Sequence, residues 1–236
     1  MKNCQLYLIP TLLGNDDFQK TIPNYNLKII NEIDTFLVEN EKSARKFIKT
    51  ILPEKKQQEL EIWILDKNTT NEELYELSKL FGQKTKIGIL SEAGLPAVAD
   101  PGSRMVNLAH QSGVKVIPMI GPSSILLALM SSGMNGQRFM FHGYLPIDKL
   151  ERKKYIQKLE TDSRKEICTQ IFMETPYRNN QLLDDLIKIC HPRTLICVAC
   201  NLTMDEEFIL TLPAKKWAQK KTDFHKKPAI FLLDSN

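Results

Sequence analysis

Ile87-Gly88-Ile89-Leu90-Ser91-Glu92-Ala93-Gly94-Leu95-Pro96-Ala97-Val98-Ala99-Asp100-Pro101-Gly102 runs from an apolar strand into a loop of small residues punctuated by glycine and proline. Glycine and alanine let main-chain N–H and C=O groups approach a bound molecule, while the Gly and Pro positions fix the path of the turn. Ile117-Pro118-Met119-Ile120-Gly121-Pro122-Ser123-Ser124 ends a second apolar run and opens a second helix. The two transitions lie about 30 residues apart, the spacing of consecutive βαβ units. Ligands of open α/β sheets bind outside the carboxyl ends of the strands, so these loops are the first candidates for a site.

Working outward, apolar runs predict strands at Leu6 to Ile9, Thr35 to Val38, Ile62 to Leu65, Ile87 to Leu90 and Val114 to Pro118. Helical patterns separate several of them. Ala44, Phe47, Ile48 and Ile51 form one apolar stripe, and Leu74, Leu77, Leu80 and Phe81 form another over 71–81, headed by Thr70 or Asn71 as N-cap. A further helix starts at Ser103 and stops at Gly113, so the first half reads as a mostly parallel α/β sheet. Ser123 to Ser132 is apolar nearly all round, which predicts a helix buried between layers and ended by Gly133. Strands follow at Phe139 to Phe141, Ile167 to Met173, Leu195 to Ala199, Phe208 to Leu212 and Ala229 to Leu233, with helices at Leu150 to Thr161 and Asn180 to Cys190. No helix separates Phe208 to Leu212 from the strand before it, so the second sheet is expected to be mixed, with antiparallel pairing. Two α/β domains are expected, 1–117 and 118–236.

The chain has 236 residues, 42% of them hydrophobic, and a formal net charge of +4. That is ordinary globular composition with enough apolar content for packed cores. No apolar run reaches the roughly 18 residues of a membrane span, and the N-terminus moves directly into Leu6-Tyr7-Leu8-Ile9 without a signal-peptide core, so a cytoplasmic protein is expected. Five scattered cysteines do not make a disulfide framework. Cys197-Val198-Ala199-Cys200 matches a zinc-ligand spacing, with Cys190 and His191 upstream, but strand alternation sends the two cysteines to opposite faces. Buried thiols and no metal are the expectation. Three basic clusters, Lys149 with Arg152, Lys153 and Lys154, then Lys215, Lys216, Lys220 and Lys221, then Lys226 and Lys227, read as solvated faces. Aromatic interleaving of the kind that stacks RNA bases is not visible.

Taken in order, Pro10-Thr11-Leu12-Leu13-Gly14-Asn15, Ser91 to Pro96 with Asp100-Pro101-Gly102, Pro118-x-x-Gly121-Pro122-Ser123-Ser124, Gly143-Tyr144-Leu145-Pro146, Glu174-Thr175-Pro176-Tyr177-Arg178 and Asn201-Leu202-Thr203 resemble the tetrapyrrole (corrin/porphyrin) methylase superfamily. Within it the chain is most similar to the RsmI-type ribosomal RNA 2′-O-methyltransferases. It departs from that branch at Glu39-Asn40-Glu41-Lys42, at Cys200 and Met204, and at Pro228-Ala229.

The resemblance implies a two-domain homodimer with S-adenosyl-L-methionine in the cleft between domains, and methyl transfer to a ribose 2′-hydroxyl of small-subunit ribosomal RNA. It implies cofactor contacts from Ser91, Glu92, Ala93, Gly94 and Val98 in the first loop, from Ser123 and Ser124, and from Tyr144, Met173, Glu174, Asn201, Pro228 and Ala229. Asp100 and Glu174 are candidate bases, and Arg178 either contacts substrate phosphate or pairs with Glu174. No nucleophile constellation is present, and a sulfonium donor requires none. The same fold leaves open methylation of a small molecule or a protein, or a cofactor-binding paralogue without catalysis. Ser124→Trp and Gly94→Arg are expected to block the site and leave the fold intact.

Overall fold

A computed structural model describes residues 4–14 and 17–235, so Asn15, the last residue of the first motif, lies outside the described residues. Contacts divide the chain into two units, the first ending at Ser123 and the second beginning at Ser124.

The first unit contains β1 (Gln5–Ile9), α1 (Phe18–Thr21), α2 (Asn24–Asn31), β2 (Thr35–Val38), α3 (Glu41–Ile51), β3 (Glu61–Ile64), α4 (Asn71–Ser78), α5 (Leu80–Gln83), β4 (Lys86–Leu90), α6 (Gly102–Gln111) and β5 (Lys115–Pro118). Its strands stand in the order β3-β2-β4-β1-β5, every pairing parallel. A parallel sheet carries helices on both faces and is apolar on both. Accordingly one core cluster gathers Ile9, Ile30, Phe36 and Ile48, and another gathers Leu6, Leu37, Leu77, Ile87 and Met105. Thr70 caps α4 in a capping box with Glu73, as its position predicts. The helix expected over 71–81 is divided, because the Lys79 N–H turns to the Glu76 and Leu77 carbonyls. Its apolar stripe is unaffected.

The second unit contains α7 (Ser124–Ser132), β6 (Phe139–Tyr144), α8 (Lys149–Glu166), β7 (Thr169–Met173), α9 (Asn179–Ile189), β8 (Leu195–Cys200), β9 (Phe208–Pro213), α10 (Ala214–Trp217) and β10 (Ala229–Asp234). Strand order is β6-β7-β10-β8-β9. The β6–β7 pair is parallel and the other pairs are antiparallel, so this sheet is mixed as expected. Its core is built on Phe172, Phe231, Leu186, Ile196 and Trp217.

Three expectations are corrected here. The α7 helix buries Ala128, Leu129 and Ser132, but Leu126 and Met130 are exposed, because only one face of the helix packs on its sheet. Ile167 opens no strand; it is the left-handed C-cap of α8 at φ 51°, and its N–H returns to the Ser163 carbonyl. Arg152 leaves the solvated cluster, since its guanidinium is buried and ion-paired with Asp185 at 2.7 Å. All five cysteines are buried and free, and among the described residues no His/Cys/Asp/Glu group is arranged to hold a metal ion. No helix among the described residues is long and apolar enough to cross a membrane.

Candidate functional site

In the first unit the candidate residues stand at the carboxyl ends of the parallel strands. β1 and β4 are neighbours, yet β1 leads toward β2 on one side while β4 leads toward β5 on the other. Adjacent connections that diverge in this way open a crevice in an α/β sheet. The two loops are tied across it. The Thr11 N–H donates to the Gly94 carbonyl at 2.9 Å, the Thr11 hydroxyl to the Ser91 carbonyl at 3.1 Å, and the Ser91 hydroxyl to the Gly94 carbonyl at 2.6 Å. Gly94 adopts φ +74°, where a side chain is strained. At Gly121 an added Cβ would stand 2.3 Å from Pro10 Cβ, so only glycine lets the loop after β5 close on the loop after β1.

Beyond Gly94 the loop alternates unusual backbone with exposure. Ala97 and Ala99 are left-handed at φ 64° and 60°, and Val98 between them is exposed. Such conformations persist where surrounding bonds over-determine them. Asp100 supplies those bonds, accepting from the Ala97 N–H at 2.7 Å and the Gly102 N–H at 2.8 Å through one carboxylate oxygen. Burial pushes the Asp100 carboxyl above its ordinary value, and the two N–H donors oppose that rise. The loop is thereby shaped by an aspartate that the sequence reading assigned to chemistry.

A cavity of about 470 Å³ opens beside these loops, walled by Thr11 to Gly14, by Ser91 to Ala93, and by Ser43, Lys46 and Phe47 of α3. The α3 wall was not foreseen, because the helical stripe assigns Phe47 to the core. Nor was the placement of Glu39, which follows β2 where Val38 pairs with Leu90. Burial, then the charges of Asp100 and Glu92, push the Glu39 carboxyl up, while the Glu92 main chain hydrogen-bonds to it. Strand adjacency was the missing information.

In the second unit, Tyr144, Met173, Ala229 and Cys200 meet at one end of the sheet through the pairings Tyr144 with Met173, Met173 with Ile230, and Ala229 with Cys200. Asn201 continues the line, its N–H on the Pro228 carbonyl at 3.0 Å, with its own φ at 52°. The Glu174 side chain is 1% exposed and accepts from the Thr175 N–H and from Arg178 Nη2, both at 2.6 Å. Of the two readings for Arg178, the ion pair is therefore present. The Arg178 Nε and the Asn179 Oδ1 are buried without a hydrogen-bond partner. Ser123 is the last residue of the first unit and Ser124 the first of α7.

The profile of the family described as Tetrapyrrole (Corrin/Porphyrin) Methylases matches residues 19–218. Ribosomal RNA small subunit methyltransferase I of Vibrio cholerae is 30% identical over 231 residues, covering 97% of this chain and 76% of that protein. The protein of the same name from Halalkalibacterium halodurans is 30% identical over 222 residues, 92% of this chain and 72% of its own length. Among solved structures, a diphthine synthase superposes with a TM-score of 0.69 at 16% identity, covering 98% of this chain and 90% of that one, which is a likeness of fold.

Proposed function

The chain belongs to the tetrapyrrole methylase family, and from that premise we propose that it transfers a methyl group from S-adenosyl-L-methionine to a ribose 2′-hydroxyl of small-subunit ribosomal RNA. The observation that carries the reading is the likeness to the Vibrio cholerae ribosomal RNA methyltransferase along 97% of the chain. It acts where ribosomes are made, in the cytoplasm.

The residues suit such a donor. A zwitterionic nucleoside calls for main-chain donors and acceptors near its charged end and little side-chain bulk, and ligand cavities commonly run from about 300 to 1,000 Å³. Ser91, Glu92 and Ala93 line the 470 Å³ cavity, and with Gly94 and Val98 they are the first unit's contribution to holding the cofactor. Ser123, Ser124, Tyr144, Met173, Glu174, Asn201, Pro228 and Ala229 are assigned to the same task. When bound, S-adenosylmethionine supplies an already activated methyl, so the protein's part is alignment of donor and acceptor. Asp100 positions the 97–102 main chain. Glu174 and Arg178 hold the start of α9 through their ion pair.

A second copy of the chain completes the assembly. Leu126 and Met130 of α7 expose apolar side chains within the second unit, and exposed apolar side chains on one helix face mark an interaction surface. The test of function is transfer of labelled methyl from S-adenosylmethionine to small ribosomal subunits lacking 2′-O-methylation. Transfer blocked by a 2′-deoxy acceptor supports the reading. Transfer only to small metabolites or to protein would replace it with another acceptor class.

A further inference from the structure

The loop after β7 and the loop before β10 are far apart in sequence and locked together in space. Lys226 N–H donates to the Pro176 carbonyl at 2.9 Å. Asn179 Nδ2 reaches the Lys227 carbonyl at 2.7 Å and the Phe224 carbonyl at 3.3 Å, and the Asn180 side chain bonds both Asp223 Oδ1 at 2.7 Å and the Phe224 N–H at 2.8 Å. Phe224 itself is buried in the core against Trp217 and Phe208. Lys226 is left-handed at φ 60°. A non-glycine residue in that region costs energy and is held only by such surroundings.

This frame presents Tyr177 with 68% of its surface exposed. The His225 ring stands edge-on to it at 5.8 Å, and Lys226 Nζ lies 6.0 Å from its centroid. Nearby acids are already engaged. Asp223 accepts from Asn180 and from the His225 N–H, and Glu174 is paired with Arg178. The charge placed over the ring itself is the Lys226 ammonium.

We infer that Tyr177, with His225 and Lys226, is a stacking platform for an unpaired nucleotide of the RNA substrate. An exposed aromatic face with an ammonium beside it takes a base on the ring and a phosphate on the ammonium, and stacking tolerates any base because each has a π face. Rigid presentation reduces the ordering cost of binding. The inference rests on the ribosomal RNA reading above and names the surface through which that substrate is gripped.

The experiment measures binding of a fluorescein-labelled 12-nucleotide single-stranded RNA by anisotropy across a salt series, with calorimetry of S-adenosylmethionine as control. Tyr177→Ala is expected to weaken RNA binding about tenfold, the scale of one base stacked on one aromatic side chain. Tyr177→Phe should bind as the unmodified chain does. Lys226→Gly, which suits the left-handed backbone, should lower the slope of log affinity against log salt by about 0.7. Unchanged RNA affinity in Tyr177→Ala with native circular dichroism and cofactor affinity would overturn the platform, as would an unaltered salt slope in Lys226→Gly. If the unmodified chain methylates ribosomal subunits while these variants behave identically to it, the platform falls and the methyltransferase reading stands. If the unmodified chain neither binds RNA nor methylates subunits, both fall.

Discussion

The main-chain N–H of Thr11 donates to the carbonyl of Gly94 at 2.9 Å, joining the loops that leave two adjacent parallel strands in opposite directions. The bond requires Gly94 at φ +74°, where an added Cβ would meet Leu13 Cδ2 at 3.1 Å and the Pro122 carbonyl at 3.2 Å. A left-handed L-residue costs roughly 1–2 kcal/mol. Gly94→Ala is therefore expected to lower stability by at least that amount in urea titrations and to weaken S-adenosylmethionine binding in calorimetry. Gly133→Ala is the control: its φ is +73° with nothing within 4 Å, so it should show the strain alone and normal cofactor affinity. Gly94→Arg consequently fails as a clean block of the site, contrary to the sequence expectation. Ser124→Trp, at the first turn of α7, is the better substitution.

Glu39 gives a pH dependence with a defined sign. Burial and the charges of Asp100 and Glu92 raise its carboxyl above the ordinary value. The folded chain therefore keeps a proton there over an interval in which the unfolded chain has lost it. Stability falls as pH rises from the ordinary carboxylate value through the raised one, and the penalty is complete above that. Glu39→Gln, which retains an acceptor for the Glu92 N–H, should raise the urea midpoint at about pH 7 and give no gain near pH 3, where carboxylates are protonated in both states. An equal shift at both pH values would assign the effect to packing.

How much of this was legible in the chain depended on the range of the interaction. The β1, β2 and β4 strands and the α3 and α4 stripes are local apolar patterns, and the structure places them where the patterns do. The candidate loops were legible because Gly, Pro and Ala at strand ends restrict the backbone locally. The loop-shaping part of Asp100 was not legible, since its two acceptor bonds depend on the left-handed turns at Ala97 and Ala99, which alanine does not advertise. Glu39 and the Tyr177 with Lys226 pair were invisible for another reason: each depends on strands that are neighbours in the sheet and distant in sequence.

Arg152 illustrates the same limit energetically. Among Lys149, Lys153 and Lys154 it reads as one more solvated cation, but its Nε and Nη2 both reach Asp185 Oδ2, at 2.9 and 2.7 Å, and its Nη1 donates to the Ile147 carbonyl at 2.8 Å. Removing one partner of a buried pair leaves the other charged and desolvated, at about 3–5 kcal/mol. Arg152→Ala should lose that amount in urea unfolding, whereas Lys153→Ala should fall within about 0.5 kcal/mol of the unmodified chain.

The thiols provide a chemical check on the second core. Cys190 is pushed up to about 12 by burial, and burial raises Cys197 and Cys200 as well. The thiolate is the reactive form. An aromatic disulfide reagent should therefore leave all five cysteines unmodified in the native protein and label them in urea, and a chelator should not move the melting temperature. Rapid labelling of native Cys197 or Cys200 would contradict their burial.

Self-association is tested on α7. The helix buries Ala128, Leu129 and Ser132 against its own sheet and leaves Met130 78% exposed beside Leu126 at 49%. Burying a Met or Leu side chain is worth about 1.5–3 kcal/mol, so a symmetric contact that uses each of them twice would stabilise a pair substantially. Light scattering should give the mass of two chains for the unmodified protein. Met130→Glu places a carboxylate in that contact on both copies, and it should yield single chains with native circular dichroism, since the Met130 side chain is exposed. A single-chain mass for the unmodified protein at micromolar concentration would refute the proposed pairing.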